Sequence, residues 1–133
     1  MTMQTTGVIE TCLYVDDLDA AQTFYEDVLG LPAFSKVGGR HVFLRSDTGV
    51  VLLFNPNATE KGGDVPAHGA RGPGHVAFAM RPEDVDAWRQ HLRAHGVEIE
   101  TDHAWPRGGR SLYFRDPAGN SVELVTPDTW GLV

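Results

Sequence analysis

The chain spells one pattern twice. Phe43-Leu44-Arg45-Ser46-Asp47-Thr48-Gly49 lies over Tyr113-Phe114-Arg115-Asp116-Pro117-Ala118-Gly119, and each half runs strand, helix, three strands. Glu10 lies over His75, each opening a strand just before an apolar run. Seven residues further on, each half reaches an acidic helix start, Asp17 in the first and Pro82-Glu83 in the second. Both halves close on a proline, Pro56 and Pro127. A repeat this long, present in only two copies, is no solenoid. It predicts a duplicated βαβββ module within an α+β fold: module one over 7–56, a linker over 57–73 and module two over 74–127.

Hydrophobic spacing supplies the elements. Val8–Val15 alternates, with Ile9, Leu13 and Val15 on one face and Glu10, Cys12 and Tyr14 on the other. Leu18, Ala21, Phe24, Tyr25, Val28 and Leu29 follow helical spacing, after a start rich in aspartate and before Gly30 as a stop. Strands are predicted at Ala33–Val37, His41–Arg45 and Val50–Phe54, the last two joined by Asp47-Thr48-Gly49. Asn55 to Pro73 reads as one long Gly- and Pro-rich loop. Module two then brings a strand over His75–Met80 and a helix from Pro82, with Val85, Trp88 and Leu92 as its stripe, ending at Gly96. Its closing strands are expected at Val97–Thr101, Leu112–Arg115 and Ser121–Thr126. His103 to Arg110 is expected to be a loop carrying Trp105, Arg107 and Arg110. Asp116-Pro117-Ala118-Gly119-Asn120 is turn chemistry.

Glu123 is the odd member of its strand, set among Val122, Leu124 and Val125. A carboxylate inside an apolar strand is costly unless it is solvated, paired or bound to a metal. Glu10, His75 and Glu123 all fall on the strand face turned away from the helices. If the two modules pair, three ligand-type side chains converge on one concave face. The fourth place related by the repeat, opposite Glu123, is apolar, being Leu52 or Leu53. Three protein ligands with open positions is what a catalytic metal site requires.

The charge balance narrows the partners. A formal net charge of −7 opposes binding to nucleic acid or to an anionic membrane surface. Cys12 is the only cysteine, so no disulfide forms within the chain, as suits a reducing compartment. No stretch approaches the roughly 20 apolar residues of a membrane span, and the first residues lack the basic start and apolar run of a secretory signal. A cytoplasmic enzyme or binder of a small molecule is expected.

Several motifs carry a resemblance over nearly the whole chain. They are Val15-Asp16-Asp17-Leu18-Asp19 leading to Phe24-Tyr25 and Leu29-Gly30-Leu31; Gly74-His75-Val76-Ala77-Phe78; and Phe114-Arg115-Asp116-Pro117 followed by Gly119-Asn120 and Val122-Glu123. In these the sequence resembles the vicinal oxygen chelate superfamily, which includes glyoxalase I, methylmalonyl-CoA epimerase, extradiol dioxygenases, fosfomycin-resistance transferases and bleomycin-resistance proteins. The resemblance implies curved mixed sheets around a cleft, a homodimer, and one divalent metal held by Glu10, His75 and Glu123. In short members the cleft is completed across chains, so Glu10 of one subunit would meet His75 and Glu123 of the other. The family's first ligand is commonly histidine, and here Glu10 stands in its place. The further carboxylate ligand of glyoxalase I falls among Val51 to Leu53 and is absent. One imidazole with two carboxylates is a hard set that suits Mn²⁺, Mg²⁺ or Fe²⁺ and admits Zn²⁺ or Ni²⁺. It demotes ring-cleaving dioxygenase chemistry in favour of a lyase or isomerase acting on a substrate chelated through vicinal oxygens. In that reading Glu10, Glu123 or a metal-bound water serves as base. Tyr113 orients substrate or donates a proton, and His41, Phe43, Trp105 and Arg110 contact the substrate. The alternative is a drug- or metabolite-sequestering protein of bleomycin-resistance type, without turnover. Thiol transfer lacks a clear potassium-loop or thiol-site signature. His68 and His103 are expected as loop histidines on the surface, and Cys12 as a buried, inert thiol on the pocket side.

Overall fold

Each half of the chain forms its own four-stranded sheet in the computed structural model, which describes residues 2–132. The first half contains β1 (Glu10–Tyr14), α1 (Leu18–Asp27), β2 (Ala33–Val37), β3 (His41–Arg45) and β4 (Val50–Phe54). The second contains β5 (His75–Ala79), α3 (Val85–Ala94), β6 (Thr101–Ala104), β7 (Arg110–Arg115) and β8 (Ser121–Val125). A short helix α2 (Pro56–Thr59) lies between them. Strand order is β1-β4-β3-β2 in one sheet and β5-β8-β7-β6 in the other, with β1–β4 and β5–β8 parallel and the remaining pairs antiparallel. This is the duplicated βαβββ, α+β architecture. Among the described residues no helix is long and apolar enough to cross a membrane.

Local chemistry explains the helix ends. The Asp17 carboxylate accepts from the Ala20 amide at 3.0 Å, capping α1, and Gly30 with φ 69° takes the left-handed turn that ends it. Asn55 caps α2 by accepting from the Asn57 amide at 3.0 Å, with Pro56 in the first helical position. The loop expected from Asn55 onward therefore opens with a helical turn, too short and polar to show periodicity.

Further boundaries differ from the sequence reading: β1 begins at Glu10, not Val8, and the helix expected from Pro82 opens as a 3-10 turn over Pro82–Asp84 before α3. The strand expected at Val97–Thr101 begins only at Thr101. Val97 and Ile99 alternate like a strand, but they pack against the core from irregular chain. Pairing to β7 starts at Thr101 opposite Tyr113 and runs to Ala104 opposite Arg110. The expected loop thus shrinks to 105–109. It closes as a tight hairpin in which the Trp105 amide donates to the Gly109 carbonyl at 3.0 Å, with Gly108 and Gly109 at positive φ. His103 consequently sits on a strand.

One apolar core serves both halves. Leu13, Val15, Leu18, Tyr25, Leu44 and Leu53 of the first half join Val76, Met80, Leu92, Leu112, Phe114 and Leu124 of the second. A buried polar clamp crosses the same junction. The Tyr25 hydroxyl donates to Asp116 at 2.8 Å, and the Asn120 amide donates to the Tyr14 carbonyl at 3.1 Å and to Asp116 at 3.0 Å. The Gly74 amide in turn donates to Asn120 Oδ1 at 2.8 Å, anchoring the start of β5 beside β1. Burial, reinforced by the Asp116 charge, pushes the Tyr25 phenol far above its usual range, so it remains a donor.

Register settles what lies opposite Glu123 in the repeat. Glu123 pairs with Ala77 and Tyr113, and Leu52 pairs with Cys12 and Phe43. Leu52, not Leu53, occupies the matching place.

Candidate functional site

The face of the second sheet turned away from α3 carries His75, Ala77 and Ala79 from β5, Ser121 and Glu123 from β8, and Ser111 and Tyr113 from β7. Strand parity puts them there: Val76, Leu112, Phe114, Val122 and Leu124 take the alternate positions and fill the core. Glu123 is 8% exposed, so its carboxylate must be compensated locally. The Ser111 hydroxyl donates to Glu123 Oε2 at 2.6 Å, and the Trp105 indole N–H donates to Ser111 Oγ at 2.8 Å. This chain fixes one oxygen and leaves Oε1 facing His75 Nε2 at 3.3 Å.

The imidazole is oriented from its other side. His75 Nδ1 lies 3.0 Å from the Ser121 carbonyl oxygen. A carbonyl only accepts, so Nδ1 carries the proton. In the neutral ring Nε2 then turns a lone pair toward the carboxylate, which is repulsive unless a proton or a metal ion lies between them. Two ligand atoms each about 2.1 Å from one ion, at angles between octahedral and tetrahedral, stand roughly 3.0–3.4 Å apart. The Nε2–Oε1 spacing falls in that interval, and the donor types are those a hard or borderline divalent ion takes. The pair fits a metal.

Tyr113 completes this corner, with its ring 6.4 Å from that of His75 and inclined by 23°. Loss of solvent, and secondarily the Glu123 charge, raise its phenol above the ordinary value, so Tyr113 stays a proton donor at neutral pH. Beside it opens a cavity of about 370 Å³ walled by His103, Trp105, Tyr113 and Ser121. The His103 and Trp105 rings meet edge to face at 4.3 Å.

The corresponding face of the first sheet is aromatic. His41 and Phe43 stack at 3.8 Å, and Phe54 sets its edge against both, at 6.0 and 5.6 Å. The Tyr14 hydroxyl and His68 Nδ1 are 2.5 Å apart, and both rings lean on Phe54. Burial, followed by the Arg40 charge, holds the His41 pKa below the usual imidazole value. Glu10 stands exposed on the same face, at the end of β1 opposite Val50. Cys12 is exposed, not buried, although its neighbour Leu52 and the His41 and Phe54 rings on the same face are covered.

The structure therefore gathers His75, Glu123 and Tyr113, with Trp105 linked through Ser111, and leaves Glu10, His41 and Phe43 on the other sheet. Among the described residues no group of three His, Cys, Asp or Glu side chains converges within one chain. Arg110 is placed apart from all of these. Parity turns it to the helix-covered side, where it meets Asp102 at 3.1 Å, and Asp102 also holds Arg89 of α3. That placement removes Arg110 from the expected substrate contacts. The sequence reading passed over Ser111 as a partner of Glu123, though its parity with Tyr113 marks it for the same face. It set aside His68 and His103 as ordinary surface histidines.

Comparison with known proteins adds a frame. The family model described as Glyoxalase/Bleomycin resistance protein/Dioxygenase superfamily matches residues 7–124. The metallothiol transferase FosB of Bacillus licheniformis is 30% identical over 121 residues, covering 90% of this chain and 75% of that protein. The glutathione transferase FosA of Serratia marcescens is 30% identical over 115 residues, covering 84% of this chain and 74% of that one. The crystal structure of a lactoylglutathione lyase from Agrobacterium tumefaciens superposes with a TM-score of 0.93 at 41% identity, covering 98% of this chain and all of that one.

Proposed function

The chain belongs to the Glyoxalase/Bleomycin resistance protein/Dioxygenase superfamily, and from that premise we propose that it is a metal-dependent enzyme of lyase or isomerase type acting on a small substrate through two neighbouring oxygens. His75 and Glu123 of one subunit and Glu10 of a second copy are the ligands in this reading. The observation that carries it is the 3.3 Å approach of His75 Nε2 to Glu123 Oε1, with each group held from behind. A divalent ion bound there would supply Lewis acidity toward charge developing on a substrate oxygen. The rest falls to the chain's own residues. Trp105 and Ser111 fix the carboxylate, Ser121 fixes the imidazole, Tyr113 holds a proton at Oη beside the site, and Glu10 accepts one. The cavity beside Tyr113 provides room for a small guest.

Glu10 lies on the other sheet and does not meet the pair within one chain, which favours a homodimer whose sheets face each other in trans. Complementation tests this arrangement. A mixed dimer of Glu10→Ala and His75→Ala subunits would contain one intact ligand set if the site is shared, and none if each chain builds its own. Elemental analysis after loading with Mn²⁺, Mg²⁺, Fe²⁺, Zn²⁺ or Ni²⁺ tests the centre itself. One bound ion per chain, lost in Glu123→Ala, is expected; no binding of any of them would reject the metal and favour a sequestering protein.

The names of two relatives, a metallothiol transferase and a glutathione transferase, favour a second reading in which a thiol adds to a small electrophile at the same site. Parallel assays with α-hydroxy ketones and with epoxides plus thiols separate the two.

A further inference from the structure

We propose that the pocket between Arg40 and the 62–68 loop binds a small singly charged oxyanion, with a carboxylate as the best fit. The pocket measures about 290 Å³ and is lined by Arg40, Thr59, Gly63, Asp64 and His68 among others. Thr59 is 4% exposed, and its hydroxyl makes no hydrogen bond. The turn does not need that hydroxyl, because it is the Thr59 backbone carbonyl that receives the amides of Gly62, at 3.2 Å, and His68, at 3.1 Å. A buried hydroxyl without a partner destabilises a fold, and valine would fill the same volume without that cost. The threonine makes sense if something enters the pocket and bonds to it.

Two further residues with donor groups line the same space. Arg40 is half-buried, lies over the Phe54 ring at 5.4 Å, and spends Nη1 on His41 Nδ1 at 2.5 Å. Among the described residues it forms no salt bridge with a carboxylate, so N–H groups remain. His68 engages Tyr14 through Nδ1. Tyr14 has a raised pKa and keeps its phenolic proton, which it can give to Nδ1, leaving Nε2–H as a donor. A guanidinium, an imidazole N–H and a hydroxyl around one cavity form a donor set with one formal positive charge, and a carboxylate accepts from such a set through both oxygens. Asp64, exposed, also lines the pocket; its carboxylate offsets the single guanidinium charge and disfavours a dianion. The site is built without His75 or Glu123, so it stands or falls independently of the metal reading.

The test is an amide-resolved NMR titration of the full chain with acetate and, separately, with inorganic phosphate, at constant ionic strength. Saturable shifts at Arg40, Thr59, Gly63 and His68 are expected, with acetate binding more tightly than phosphate. Thr59→Ser should keep the response. Thr59→Val should weaken it about tenfold, the loss expected for one hydrogen bond to a charged group, while raising the melting temperature of the ligand-free protein. Arg40→Gln should abolish it. A Thr59→Val protein that titrates like the parent, the absence of saturation at these amides with either anion, or a preference for phosphate would each overturn the proposal.

Discussion

The two sheets are copies in order and register, yet their open faces have opposite chemistry. On the second sheet the central position of β8 is Glu123, flanked by Tyr113 and Ala77 and supported by Ser111. On the first sheet the same position is Leu52, flanked by Phe43 and Cys12, with His41 where Ser111 would be. One copy keeps a buried carboxylate together with the donors that compensate it. The other has exchanged carboxylate and donors as a set for packed rings. A polar group in a sheet survives as a network or not at all, because a half-satisfied network costs more than an apolar surface. The duplication thus supplies two scaffolds, one carrying ligands and the other a wall with a single acidic residue, Glu10, at its edge.

The contrast can be broken most directly by exchanging its centres. Glu123→Leu makes the second face resemble the first and should eliminate metal retention and turnover entirely, as measured by elemental analysis and assay. Its stability should change little, since the gain from removing a buried carboxylate is offset by the stranded Ser111 hydroxyl. The reverse exchange is less forgiving. Leu52→Glu places a carboxylate among Phe43, Phe54 and Cys12 with no hydroxyl waiting for it, and should cost about 3–5 kcal/mol in thermal or denaturant unfolding. If Leu52→Glu folded with undiminished stability, the two faces would be interchangeable and the difference between them incidental.

A smaller change sharpens the role of the supporting groups. Ser111→Ala leaves every proposed ligand in place but removes the hydroxyl that orients Glu123 Oε2. Metal affinity, measured by competition with a chelator, should fall roughly 10–100-fold. Ser111→Thr, which keeps the hydroxyl, should restore most of it, and Trp105→Phe should show a weaker form of the same defect. An affinity in Ser111→Ala equal to that of the parent would mean that Glu123 is oriented by something other than this chain of bonds.

How much of this was visible in the sequence varies with the physics involved. β2, β3 and β4 occupy the expected residues: Val42, Leu44, Val51 and Leu53 fill the core and a turn signal separates β3 from β4, while β2, which buries no residue, is held by its pairing to β3. β6 was displaced because Thr101-Asp102-His103-Ala104 has no apolar alternation of its own. Its strand state is imposed by pairing to β7, while Val97 and Ile99 imitate a strand and serve the core instead. Parity alone put His75 and Glu123 on a common face. It could not show that Nε2 approaches Oε1, since that depends on the parallel β5–β8 register and on the Ser121 carbonyl behind the ring. The Trp105–Ser111 bond depends on the hairpin at Gly108 and Gly109. The distance of Glu10 from the pair depends on how the sheets are set against each other, and strand periodicity carries no information about that.

The least effect expected concerns His41, the residue that takes the place of Ser111 on the aromatic face. Burial, followed by the Arg40 charge, lowers its pKa in the folded chain relative to the unfolded one. Between the two values the unfolded chain binds the extra proton and the folded chain does not, so acid favours unfolding. The contribution of neutral His41 is fully present above the unfolded value of about 6.5 and is lost as pH falls from there through the folded value. His41→Gln, which retains a polar side chain but does not titrate, should flatten the decline of melting temperature below that pH while leaving the plateau above it nearly unchanged. Unaltered acid sensitivity in His41→Gln would assign the decline to other groups. It would also mean that the ring stacked on Phe43 takes up its proton without penalty, and that the first sheet's face is less closed to charge than its packing against Phe43 and Phe54 implies.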